Sequence, residues 1–187
     1  MSEASSLTNH FLIALPSLQD PNFSRTVTYI CEHTGEGTMG LVINRPSALQ
    51  LTDILHHMDI GERPDTPSDM PIFIGGSVQE DRGFLLHTPA KRWESTLLIG
   101  DDLAVTTSQD LVRALARNEG PEEILFALGY AGWGPGQLEQ ELQQDAWIFG
   151  PASKDILFHT PVEERWEAAA RLAGVDVNLI SNTGGHA

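Results

Sequence analysis

Cysteine is almost missing from this sequence: Cys31 stands alone among 187 residues. A single thiol excludes an internal disulfide and any multi-thiolate metal site, and it suits a reducing compartment. Positive charge is scarce as well. Lys and Arg number 11 against 26 Asp and Glu, a formal net charge of −15 at pH 7. A surface of that sign repels phosphate backbones and anionic lipid headgroups. Direct DNA binding would need a local basic patch, and Lys91 with Arg92 is the only adjacent pair of cations. No stretch approaches the roughly 20 apolar residues that a membrane-spanning helix needs. The first apolar run follows no Lys or Arg and is cut short by Pro16, so it does not read as a signal peptide. The seven histidines include no H-x-H or H-E-x-x-H spacing, and His56 and His57, being adjacent, diverge on a helix. The expectation is a cytoplasmic protein with no membrane partner, no metal and no cofactor.

What is present is a core. Hydrophobic residues make up 41% of the chain, enough for one domain or two small ones. Apolar runs alternate with turn signals, and 10–15, 25–33, 40–44, 70–75, 83–87, 95–99, 102–106, 123–130 and 146–150 read as strands. Thr107 and Asp110 have capping-box spacing ahead of a helical pattern at Leu111, Val112, Leu115 and Ala116. A second helix is framed by Thr160 as N-cap, Pro161 at N1, Glu163 at N3 and Gly174 beyond the end. A shorter one lies near "LTDILHHM", ahead of the Pro-rich loop 61–71, which is either a linker or an ordinary loop. With no repeat and no second core in the pattern, one α+β domain over 1–187 with a mostly antiparallel sheet is expected.

Two catalytic signatures are near misses. "GEGTMG" (35–40) has the letters of a dinucleotide fingerprint, but "GLVINRP" continues as a strand where a helix N-terminus must face the pyrophosphate. A hairpin loop explains it better. "GGSVQ" (75–79) lacks the final glycine of a nucleophile elbow, and no helical pattern follows.

Cys31 and His33 are the candidate catalytic pair. At a strand period of two, Val27, Tyr29, Cys31 and His33 share a face, and an adjacent imidazole lowers a thiol pKa. The competing reading makes Cys31 a small buried hydrophobe. "GYAGWGPGQLEQEL" (129–142) is the second candidate. It reads as a strand running into a turn, then a helix with Gly134 as N-cap, Pro135 at N1 and a Leu138/Leu142 stripe. Glu139 and Glu141 sit near the positive end of that helix. Either the glycines serve a tight connection with Trp133 in the core, or Tyr130, Trp133, Gln137 and Glu139 face a ligand or partner. Arg45 and Arg82, beside Asn44 and Tyr130, would suit a small anionic ligand if they share a cleft, and Arg82 and His87 could assist Cys31.

The blocks 11–33, "GTMGLVINRP" (37–46), "GGSVQEDRGFLLH" (75–87), "VTTSQDLVRALA" (105–116), "LGYAGWGPGQLEQEL" (128–142) and "GGHA" (184–187) resemble, in order, the bacterial YqgE/AlgH family. Ser77, where that family often has proline, and "GEGTMG", in place of Ala-Met-Gly, are modest departures. The resemblance implies a single α+β domain with a mixed, mostly antiparallel and partly barrel-like sheet flanked by helices. It also implies the family's label of transcriptional regulator, which comes from a proposed role in alginate production. Its gene neighbourhood, beside a Holliday-junction-resolvase-like protein, hints at a nucleic-acid-linked pathway. With the charge set against DNA, the expected function is regulation through a protein or small-ligand partner. The alternative is a redox-responsive or enzymatic protein using Cys31 with His33.

Overall fold

The computed structural model describes residues 6–21 and 23–178. The "GGHA" block therefore lies outside the described residues. In chain order the first elements are β1 (His10–Ala14), β2 (Val27–Thr34), β3 (Gly37–Val42), β4 (Pro46–Gln50), α1 (Leu51–His57), β5 (Pro71–Ile74) and β6 (Val78–Thr88). Then come β7 (Thr96–Ile99), β8 (Leu103–Thr106), α2 (Gln109–Ala116), β9 (Glu123–Trp133), α3 (Gln137–Leu142), β10 (Trp147–Pro151), α4 (Lys154–Phe158), a 3-10 turn (Val162–Glu164) and α5 (Arg165–Leu172). The class is α+β, and every strand pair but one is antiparallel. No helix among the described residues is long and apolar enough to cross a membrane.

The chain forms two compact units, one from the residues up to Asn44 together with those from Ala131 onward, the other from Arg45–Tyr130. In the first unit the strand order is β10-β1-β2-β3, followed by residues 131–133 of β9. β1 is paired on both edges and nearly all buried, which is why "FLIA" reads as a continuous apolar run rather than an alternating one. Helix α5 is anchored on this sheet. The Trp166 indole donates to the Ala14 carbonyl at 2.7 Å, and the buried Arg165 guanidinium donates to the carbonyls of Ile43 and Thr160.

In the second unit residues 123–130 of β9 pair with β6 antiparallel and with β5 parallel, while β8 and β7 extend the β6 side and β4 the β5 side. Its core sets Leu51 and Leu55 of α1 against Leu111 and Leu115 of α2 over Leu85, Ile72 and Phe126. The loop 61–71 lies wholly inside this unit.

Several boundaries differ from the sequence pattern. β4 goes unanticipated because it is a Pro-led, largely exposed strand with no apolar period. The helix after 107 is capped by Ser108, whose hydroxyl donates to Asp110 at 2.6 Å, so its start falls one residue late. The helix expected from Thr160 opens as the 3-10 turn and becomes α only at Arg165. β9 does not stop at Tyr130. It continues through Gly129 and Gly132 to Trp133, and α3 is capped by Gly136 rather than Gly134. "GEGTMG" is the expected β2–β3 hairpin, and "GGSVQ" leads into β6, not a helix.

Candidate functional site

Trp133 ends β9, and Gly134-Pro135-Gly136 reverses the chain, with Gly136 at φ +72° as the N-cap of α3. Gln137 closes this turn with both its side chain and its backbone. Its Oε1 accepts the Gly134 N–H at 2.9 Å, and its own N–H donates to the Gly134 carbonyl at 3.0 Å. Its Nε2 donates to Glu141 Oε2 at 2.9 Å, while the Trp133 indole N–H donates to Glu141 Oε1 at 3.1 Å. A spacing of four residues, from Trp133 to Gln137 to Glu141, thus fixes one carboxylate by both of its oxygens. Leu138, on the opposite side of α3, is fully buried with Leu12, Ile30 and Trp147.

Above this network lies a cavity of about 540 Å³, within the range of small-ligand sites. Its aromatic part is Phe23, Trp133 and Trp147, whose ring centroids are 5.3 to 6.4 Å apart. Phe23 and Trp133 each meet Trp147 edge to face, and pairs of this kind contribute roughly 0.5–1.5 kcal/mol each, so the floor is a packed cluster. The polar wall is Gln137, Gln140, Glu141 and Gln144, with Asp20 beside it, and no Lys, Arg or His stands among the described residues of the lining.

Of the residues singled out from the sequence, Trp133 and Gln137 line this cavity together. Glu139 points to a different task. Its carboxyl lies 3.0 Å from His33 Nε2, and its own backbone N–H together with His33 hold it below the usual carboxylate range. His33 Nδ1 accepts the Leu7 N–H at 2.8 Å, so Nε2 carries the proton and donates to Glu139. Asn44 is engaged by backbone on both ends: its Oδ1 accepts the Val27 N–H and its Nδ2 donates to the Arg25 carbonyl, each at 3.0 Å.

In the second unit Arg82 lines a cavity of about 320 Å³ with Asp81, His57, Thr107 and Ser108 over Leu85, Val112 and Phe126. Its guanidinium donates to Gln79 at 3.1 Å and to Thr107 at 3.0 Å. Arg45 and Tyr130 line neither cavity; Tyr130 packs edge-on against Phe84 at 5.4 Å. His87 is fully enclosed, held by the Pro89 carbonyl at 3.0 Å and the Thr106 hydroxyl at 2.8 Å.

The Cys31–His33 pairing is corrected by the structure. A register shift between Ile30 and Glu32 leaves Cys31 as the extra residue of β2, outside the pairing with β3. The sulfur is 2% exposed, with the Tyr29 carbonyl at 3.9 Å, and burial pushes the thiol pKa up rather than down. Both His33 ring nitrogens are taken by Leu7 and Glu139.

The sequence reading missed Glu141 as a site residue, along with Phe23, Trp147, Gln140 and Gln144. The polar residues had a signal, since Gln137, Glu141 and Gln144 recur at helical spacing opposite Leu138. Phe23 and Trp147 had none, because they arrive from other segments.

A family model described as AlgH-like matches residues 11–178. A UPF0301 protein of Thioalkalivibrio sulfidiphilus is 54% identical over 187 residues, covering 100% of both chains. Another, from Nitrosococcus oceani, is 52% identical over 179 residues, 96% of each. The solution structure of the AlgH protein from Pseudomonas aeruginosa is 48% identical, covers 97% of this chain and 96% of its own, and superimposes with a TM-score of 0.82. A Corynebacterium diphtheriae protein at 20% identity and a TM-score of 0.74 shares the fold.

Proposed function

This chain belongs to the AlgH-like family, and from that premise we propose that it is a cytoplasmic regulatory protein acting through a bound ligand or protein partner. The observation that carries the reading is the cavity of about 540 Å³ built on the Trp133–Gln137–Glu141 network. A turn needed only to join β9 to α3 would not require a carboxylate fixed by two donors at the wall of an open aromatic cavity. The regulatory role, including any part in alginate production, is then an effect of occupancy rather than of operator contact. The net charge of −15 supports that separation.

The test is a pair of variants in a host deleted for the gene. Gln137→Ala removes the side chain that bridges the turn to Glu141, on an exposed surface, and is expected to cost no more than about 1 kcal/mol of stability. It is expected to lose the regulatory phenotype while remaining folded. Trp133→Ala is expected to lose both, with a destabilisation of about 3–5 kcal/mol. A folded Gln137→Ala protein with a full wild-type phenotype removes the cavity from the function.

A further inference from the structure

We propose that the cavity beside α3 selects an organic ammonium group, either on a free amine or on a lysine side chain of a partner. This rests on the binding reading above and specifies its chemistry. Phe23, Trp133 and Trp147 line the cavity with aromatic carbon, and a ring face turned to a cation attracts it. Glu141 adds a fixed negative charge, oriented by Trp133 and Gln137. Each carboxylate oxygen has two acceptor sites and the network uses one on each, so capacity for a further donor remains.

The amide oxygens of Gln140 and Gln144 can accept from the same ligand, and no Lys, Arg or His stands among the described lining residues to repel an ammonium. An anionic ligand would meet the Glu141 carboxylate with no cation among those residues to offset it. Inorganic cations fit poorly because a hard ion needs a shell of oxygens, whereas Leu18, Phe23, Trp133 and Trp147 line much of this cavity. A volume of about 540 Å³ also leaves room for carbon attached to the charge. The excess of 26 acidic over 11 basic residues raises the local concentration of such ligands.

The experiment titrates the full chain with butylammonium, with the neutral butan-1-ol and with the anion pentanoate, reading the indole N–H resonances of Trp133 and Trp147. Butylammonium is expected to shift both and to bind at least about tenfold tighter than the alcohol. Glu141→Gln, which keeps the side-chain shape, is expected to bring butylammonium to the level of the alcohol. A capped Ala-Lys-Ala peptide separates the two sources: tighter binding than butylammonium assigns a protein partner, and the reverse assigns a free amine. Equal binding of butylammonium and the alcohol, or tighter binding of the anion, overturns the cation selectivity and leaves a binding cavity standing. If no probe of any charge shifts either indole at about 10 mM, the ammonium site is overturned, and a wild-type phenotype for Gln137→Ala then removes the binding reading too.

Discussion

His87 shows how a single buried residue links this fold to pH. Its Nδ1 faces the Pro89 carbonyl and must donate, so Nε2 is the bare nitrogen that accepts from Thr106, and the neutral ring satisfies the site. Burial holds its pKa below the ordinary 6.5. The unfolded chain takes up a proton as pH falls through about 6.5 while the folded protein does not, so stability declines on acidification. The expected slope is positive and bounded by about 1.4 kcal/mol per pH unit, the limit for one proton. Urea unfolding between about pH 7 and 5 measures it, and His87→Asn is expected to be less stable throughout but with a flatter slope. An equal slope in both proteins would assign the pH dependence to other groups. Cys31 and His33 make the complementary point at this scale. Their two-residue spacing is real in the sequence, but the bonds from Leu7 and Glu139 direct His33 to a bracing role.

At the scale of elements, the passage from β9 to α3 decides the site. Gly129 lies within the strand at φ +75°, where a Cβ would run into the Gly76 carbonyl oxygen, and within 3.2 Å of both Glu80 Cα and the Val78 carbonyl. Gly129→Ala is therefore expected to lose at least about 2 kcal/mol, because it combines left-handed strain with a backbone collision. A loss under about 0.5 kcal/mol in chemical denaturation, the scale of a neutral surface change, would show that the strand shifts without penalty. The glycine-rich motif was legible as a connection between strand and helix. Its turn falls two to three residues later than the pattern suggests, because glycine does not end this strand. Here Gly129 and Gly132 keep the chain in β9 and leave the reversal to Gly134-Pro135-Gly136.

For the whole molecule, charge is the dominant property. With 15 more acids than bases, binding to DNA would have to proceed without the counterion release that normally drives it. No sequence-selective complex with promoter fragments is expected in gel shifts at about physiological salt. A saturable shift at submicromolar protein, dependent on sequence, would overturn this and return the family's regulatory label to direct operator contact.

The sequence by itself determined what depends on short-range order. Strand-forming runs, the caps near Ser108 and Gly174, the β2–β3 hairpin and the net charge all follow from residues close together in the chain. It also carried the family, since ordered blocks of side chains survive in any reading of the letters. The tertiary structure alone decided which residues share a surface. Phe23, Trp133 and Trp147 meet although β9 and β10 stand at opposite ends of the order β10-β1-β2-β3-β9 and Phe23 comes from the segment after β1, and no local period encodes that meeting. Burial was likewise a tertiary decision: Cys31 and His87 have polar or reactive side chains, and only the packing around them closed one from solvent and held the other neutral.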